Sequence, residues 1–163
     1  MDYIWSPWRY SFITEGAPRE ECVFCRMAAD TGNDERNLVV YRGHWNFIVL
    51  NLYPYTSGHM MVVPYEHVAV LSAAAEETSC EMMSLARRAE QMLTRVYRPQ
   101  GINLGMNLGA AAGAGIANHI HMHVLGRWTG DANFMTVVGE TRILPEDLPV
   151  TWRKLKDAFE NPA

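Results

Sequence analysis

The order of apolar and polar residues along the chain predicts a sheet interrupted by one long helix. Residues 38–41 and 45–50 are β-branched and aromatic runs parted by Arg42-Gly43-His44, the composition of two strands joined by a tight turn. Residues 60–63 make a third strand, ended by Pro64. Across residues 74–97, Met82, Leu85, Ala89, Met92 and Val96 recur at steps of three and four, while Arg87, Arg88, Glu90 and Arg95 fall mostly on other faces. That spacing predicts an amphipathic helix, stopped by Pro99 and Gly101. Residues 102–108 and 119–125 read as two further strands on either side of a loop rich in glycine and alanine, and Trp152, Leu155 and Phe159 predict a short C-terminal helix. Strands and helices grouped in this way, without strict βαβ alternation, predict an α+β fold: a mainly antiparallel five-stranded sheet with one long helix and a short C-terminal one.

A length of 163 residues fits one domain, and 48% hydrophobic with 20% charged residues is the balance of a globular chain. The expected organisation is a single domain over 1–163, with an N-terminal arm at about 1–20, the histidine-bearing strand at 119–125 and a C-terminal segment at 129–163. Trp5, Pro7, Trp8 and Tyr10 give the arm enough aromatic surface to dock. No apolar run approaches the roughly 20 residues that span a bilayer, and the N-terminus lacks the pattern of a secretory signal, so no membrane partner and a cytoplasmic location are expected. A net charge of −4 provides no basic field for a long nucleic acid, so a phosphate-bearing ligand has to be small and held locally. Cys22-Val23-Phe24-Cys25 has the spacing of metal sites and redox pairs, whereas Cys80, inside the helical pattern, is expected to be a small core residue.

The chemistry concentrates in His119-Ile120-His121-Met122-His123-Val124-Leu125, which holds three of the six histidines. On an extended segment alternate side chains share a face. His119, His121 and His123 therefore line one surface at about 6.6 Å intervals, with Ile120, Met122 and Val124 anchored on the other. A neutral imidazole attacks phosphorus competently, and the bond it forms is labile enough to split one displacement into two steps. A second imidazole two residues along is placed to hydrogen-bond the leaving group. Just upstream run Gly105-Met106-Asn107-Leu108-Gly109 and Ala110-Ala111-Ala112-Gly113-Ala114-Gly115. Backbone N–H groups around Gly113 and Gly115, with the Asn107 side chain, are expected to stabilise the non-bridging oxygens. The loop matches neither the P-loop nor the dinucleotide-binding fingerprint. These residues leave two other functions open: a hydrolase whose His-x-His pair binds a catalytic zinc, and a nucleotide-sensing module without catalysis.

Residues 119–125 match His-φ-His-φ-His-φ-φ, with φ apolar, and so resemble the histidine-triad superfamily. The likeness extends to Asn51, to Gly58-His59-Met60-Met61-Val62-Val63-Pro64, and to Trp5-Ser6-Pro7-Trp8-Arg9 and Gly139-Glu140-Thr141-Arg142. The last two resemble a prokaryotic subgroup near the fragile-histidine-triad and diadenosine-tetraphosphate phosphorylase branch. The resemblance implies that His121 is the nucleophile at the α-phosphorus and that His123 faces the leaving group. It further implies that His59 joins the network behind them, and that Asn51 and Asn107 contact the ribose or phosphates. The implied substrates contain AMP: dinucleoside polyphosphates, cleaved by water or inorganic phosphate, or alternatively amine and lysine phosphoramidates of adenosine. It also implies a homodimer or higher homo-oligomer, and a structural zinc on Cys22, Cys25, His67 and His119, with no cofactor needed for the chemical step. The chain departs from the family at Gly126-Arg127-Trp128, where relatives usually continue with Pro-Arg. His44 has no assigned role.

Overall fold

The computed structural model describes residues 22–139 and 144–161. The aromatic arm and Glu140-Thr141-Arg142, both singled out above, lie outside the described residues. Five antiparallel strands form one sheet in the order β1-β2-β3-β5-β4: β1 Val39–Arg42, β2 Asn46–Leu50, β3 Met60–Pro64, β4 Gly101–Met106 and β5 Met122–Arg127.

Both faces of this sheet are covered, so β2 and β3 are buried at every residue rather than at alternate ones and, Asn46 apart, are apolar throughout. Val40, Ile48, Leu50, Met60, Val62 and Val124 turn one way, against the long helix α2 (Glu76–Tyr97) and the C-terminal helix α4 (Leu148–Glu160). Val39, Phe47, Val49, Met61 and Val63 turn the other way and meet Phe24 of α1 (Val23–Ala29). Each such side chain, when fully buried, contributes about 1.5–3 kcal/mol relative to exposure. A short helix, α3 (Phe134–Val137), follows β5.

In α2 the buried residues are Thr78, Met82, Leu85, Ala86, Ala89, Met92 and Leu93, which include the face that periodicity predicts. The helix begins two residues later than expected, because Ala74 and Ala75 have ψ values of 144° and 151°, outside the helical range. It ends where Arg98 takes a left-handed conformation at φ 47° before Pro99. Cys80 is exposed, which corrects the expectation of a core residue. It falls at helical spacing with Met83 and Arg87, both exposed, so it belongs to the outward face.

Three polar anchors tie the layers together. Trp152 donates its indole N–H to the Val39 carbonyl at 2.9 Å, and Arg88 lies 4.0 Å over the Tyr41 ring while donating to the Phe159 carbonyl at 2.8 Å. Arg42 reaches from the edge strand to the end of α1, donating to the carbonyl oxygens of Met27, Ala28 and Asp30 and to Asp34. Among the described residues no helix is long and apolar enough to cross a membrane.

Two strand boundaries differ from expectation. β4 stops at Met106, leaving Asn107 in the loop, and β5 starts at Met122 rather than His119. The ladder with β3 ends at the Val62–Met122 pair, and the Ile120 N–H bonds instead to the Val68 carbonyl at 2.8 Å. Alternation survives ahead of the strand all the same. Ile120 and Val124 are buried on the helix side, and His119 and His121 lie against Phe24 on the other.

Gly126 is buried where the resembled family carries proline, and it pairs with Ile102. A Cβ added there would meet the Trp128 ring at 2.9 Å and Pro99 Cβ at 3.0 Å. Gly126→Ala is therefore expected to lower stability by about 1–3 kcal/mol, read as a shift of the urea midpoint at unchanged slope. An unchanged midpoint would show that Trp128 moves aside freely.

Candidate active site

A cleft of about 1110 Å³ opens on the α1 side of the sheet. His121, His123, Asn51, Asn107, Gly113 and Gly115, separated by up to 72 positions in sequence, all line it. His121 is buried and His123 half-buried, with ring centroids 5.0 Å apart. His59 does not line the cleft; it is buried behind His123, with its Nε2 2.9 Å from His123 Nδ1.

The hydrogen bonds decide which nitrogen of each ring carries the proton. The Tyr55 backbone N–H donates to His59 Nδ1 at 3.1 Å, and Asn51 Nδ2 approaches the same atom at 3.4 Å. Nδ1 of His59 is thus an acceptor, and its Nε2–H donates to His123 Nδ1. The proton of neutral His123 then resides on Nε2, making that atom a donor. His121 is set the opposite way: its Nδ1–H donates to the His119 carbonyl at 2.9 Å, so Nε2 carries the lone pair. Both rings stay neutral near pH 7. Burial pushes His121 below the usual imidazole range, partly countered by its bond to the His119 carbonyl. Burial, with the neighbouring His121 ring, pushes His123 down to about 4.

His119 points to a different group of side chains. Its Nε2–H donates to the Pro64 carbonyl at 2.9 Å, leaving Nδ1 directed at Cys22 Sγ at 3.3 Å and Cys25 Sγ at 3.7 Å. Cys25 Sγ also lies 3.1 Å from His67 Nδ1. One ligand atom from each of Cys22, Cys25, His67 and His119 falls within 4.8 Å of the other three. The four residues come from the start of α1, the loop after β3 and the lead-in to β5, so the fold assembles a set that is scattered along the chain.

The glycine loop differs in detail from expectation. Gly109 and Gly113 take φ values of 84° and 91°, which allow the tight turn at residues 110–112. Inside that turn the Gly113 N–H bonds to the Ala110 carbonyl and the Ala114 N–H to the Gly109 carbonyl. The Gly113 and Ala114 N–H groups are thus engaged within the loop itself.

Sequence reasoning passed over Tyr55, whose N–H orients His59 and whose ring stacks on His123 at 6.0 Å. It also passed over Phe24, wedged against both His119 and His121. The only signal for Phe24 was its place between two cysteines, and a backbone donor such as that of Tyr55 leaves none.

A HIT domain model matches residues 33–130, a span that contains Asn51, His59, Asn107 and all three triad histidines. The chain belongs to the HIT family. Among HIT relatives, it is 39% identical over 161 residues to a protein of Mycobacterium tuberculosis named AP-4-A phosphorylase, covering 95% of this chain and 83% of the relative. A Zn-bound histidine triad family protein from Mycobacterium smegmatis superposes with a TM-score of 0.70 at 27% identity, over 86% of this chain and 94% of that one. A hypothetical histidine triad nucleotide-binding protein from Sulfolobus tokodaii shares the HIT fold, with a TM-score of 0.69 at 23% identity over 85% and 92% of the two chains.

The neutral state of His123 makes stability depend on acidity with a definite sign. The folded protein holds it uncharged down to about pH 4, whereas an unfolded chain protonates it near 6.5, so the unfolded state binds the extra proton in between. Its contribution is full above pH 6.5 and lost as the pH falls toward 4. Urea melts at pH 7 and pH 4.5 are expected to show a loss smaller by about 2 kcal/mol in His123→Gln than in the parent. Equal losses would mean that His123 titrates normally in the folded state.

Proposed function

We propose that this enzyme cleaves dinucleoside polyphosphates at the α-phosphorus, with His121 as the nucleophile and a nucleotidyl-histidine as the intermediate. The observation that carries the reading is the opposite protonation of two adjacent rings in one cleft: a lone pair on His121 Nε2 beside an N–H on His123 Nε2. In the first step the lone pair forms a bond to phosphorus and the bridging P–O bond breaks. The electrons leave on the departing polyphosphate, which His123 steadies with a hydrogen bond. A phosphate leaving group is stable as an anion, so a neutral donor suffices. In the second step an acceptor oxygen attacks phosphorus from the vacated side, the N–P bond breaks, and the His121 lone pair is restored. Asn107 and the Gly115 N–H meet the charge on the non-bridging oxygens, and Asn51 lies along the nucleoside.

The M. tuberculosis relative supports inorganic phosphate as the acceptor and diadenosine tetraphosphate as the substrate. Phosphate delivers ADP and ATP from that substrate, whereas water would deliver AMP and ATP. Incubation of the protein with diadenosine tetraphosphate, with and without phosphate, is expected to give ADP only when phosphate is present. His121→Ala is expected to lower kcat on the order of 10³-fold or more while AMP binding persists, and mass spectrometry of the quenched parent enzyme should find the adduct on His121. Turnover in His121→Ala near the parent rate would sink the mechanism, and exclusive action on an adenosine phosphoramidate would sink the substrate.

The donor set Cys22, Cys25, His67 and His119 fits a zinc ion. Two thiols and two imidazoles converge, and the bond from His119 Nε2 to Pro64 frees the Nδ1 lone pair toward the sulfurs. When bound, zinc would supply structural cross-linking of α1 to the triad segment, because four protein ligands leave no open position. The Zn-bound M. smegmatis neighbour supports this. Elemental analysis is expected to find one zinc per chain, and prolonged chelation or Cys22→Ser to lower Tm by more than about 5 °C. A metal-free protein with an unchanged Tm would refute the site. Assembly as a homodimer, with cytoplasmic residence, completes the reading. β4 is an edge strand with Leu104 48% exposed, a surface suited to continuing the sheet into a second copy.

A further inference from the structure

His59 is carried by a short loop, and that loop rests on a residue outside the cleft. Residues 55–59 lead into β3: the Tyr55 N–H donates to the His59 ring, and the His59 N–H bonds to the Thr56 carbonyl at 3.2 Å. Next to His59, Gly58 is buried at φ 75°, a left-handed conformation that glycine adopts without strain. A Cβ added there would lie 2.7 Å from Leu93 Cδ2 and 2.9 Å from Tyr97 Cε2. The Gly58 backbone is thus pressed directly against two side chains at the end of α2.

Tyr97 is the last residue of α2, and its ring is fixed from the C-terminal segment. Its hydroxyl donates to Glu146 Oε1 at 2.6 Å, an oxygen that also accepts from Thr151 of α4 at 2.8 Å. Lys154 of α4 pairs with the other carboxylate oxygen and lies 5.9 Å from the centre of the Tyr97 ring. Burial, with the Glu146 carboxylate beside it, pushes the Tyr97 hydroxyl above the usual phenol range, so it stays a donor near pH 7. A hollow of about 460 Å³ opens beside the same loop, with Tyr55, Thr56 and Ser57 on one side and Tyr97, Glu146 and Lys154 on the other. A loop with open space next to it keeps its place only where packed side chains bear on it.

We propose that Tyr97, held by Glu146, is a positioning residue for departure of the leaving group: it seats the Gly58 turn so that His59 holds His123 where its Nε2–H reaches the departing oxygen. The proposal rests on the catalytic reading given above and adds to it a residue that does not line the nucleotide cleft. A hydrogen bond weakens steeply as its distance and angle degrade, so a loosened turn costs most where the leaving group depends on that bond. The His121 lone pair is set from the His119 carbonyl and is left unchanged.

The test compares turnover of two aryl esters of AMP, p-nitrophenyl and phenyl, by the full chain. In each, His121 Nε2 bonds to phosphorus, the P–O bond to the aryl group breaks, and its electrons leave on the aryl oxide. p-Nitrophenolate is a stable anion that departs with little help, whereas phenolate is as basic as tyrosinate, with a pKa of about 10, and depends on a donor. In Tyr97→Leu, kcat/KM for the phenyl ester is expected to fall at least about tenfold more than for the p-nitrophenyl ester, while the calorimetric affinity for AMP stays within about twofold. Tyr97→Phe keeps the ring and loses only the bond to Glu146, and is expected to show the same selective loss reduced to about threefold. Where Tyr97→Leu fails to fold, the ratio in Tyr97→Phe decides. Equal losses on the two esters, AMP binding weakened in parallel with them, or parental rates in both variants would overturn the proposal. A selective loss in a protein whose parent leaves diadenosine tetraphosphate intact removes the dinucleotide substrate and keeps the role of Tyr97. A parent that cleaves neither ester and forms no adduct on His121 overturns the catalytic reading and this proposal together.

Discussion

An extended backbone sends successive side chains to opposite sides, and the site depends on how residues 119–124 meet that constraint. Ile120 and Val124 are drawn into the helix-covered core, and Met122 packs against it. That burial turns His119, His121 and His123 toward α1 without any contribution from the histidines themselves. The apolar residues thus act as the fixed side of a jig. Sliding the pairing by one residue would bury imidazoles among leucines and expose isoleucine and valine to the cleft, an exchange costing several kcal/mol on apolar burial alone.

Within that frame the chemistry is set by backbone groups more than by charged side chains. The His119 carbonyl, the Pro64 carbonyl and the Tyr55 N–H each occupy one ring nitrogen and leave the other a defined role. Main-chain groups are suited to this task because the sheet and its loops hold them in place. A carboxylate in the same place would draw its neighbour toward the protonated state, and His121 would then lose its lone pair.

The division between what the sequence discloses and what it hides follows the range of the interactions. The five strands, α2 and the triad face were legible because periodicity is local, and Met82, Leu85, Ala89 and Met92 announce their face on their own. The four zinc-ligand candidates were legible through family resemblance, although only the fold brings His67 and His119 to the two thiols. The start of β5 was not legible. Residues 119–121 have strand composition, but a strand also needs a partner, and the β3 ladder ends before reaching them. Cys80 was misjudged because a cysteine in a helix reads as apolar until its angular position is compared with Met82 and Leu85. Tyr55 acts through a main-chain N–H, which leaves no mark in composition.

At seven residues, α1 is too short to persist by itself, since helices need about 12–15 residues to be even marginal in water. It is clamped from outside instead. At its first turn the thiols of Cys22 and Cys25 face His119 and His67, and at its last turn the Arg42 guanidinium gathers three carbonyl oxygens. One wall of the cleft is therefore a borrowed element, suspended between a thiol–imidazole knot and a single arginine, and either fastening can be altered without touching a residue that meets substrate. A lineage could retune how firmly it grips its nucleotide simply by loosening one end of that span.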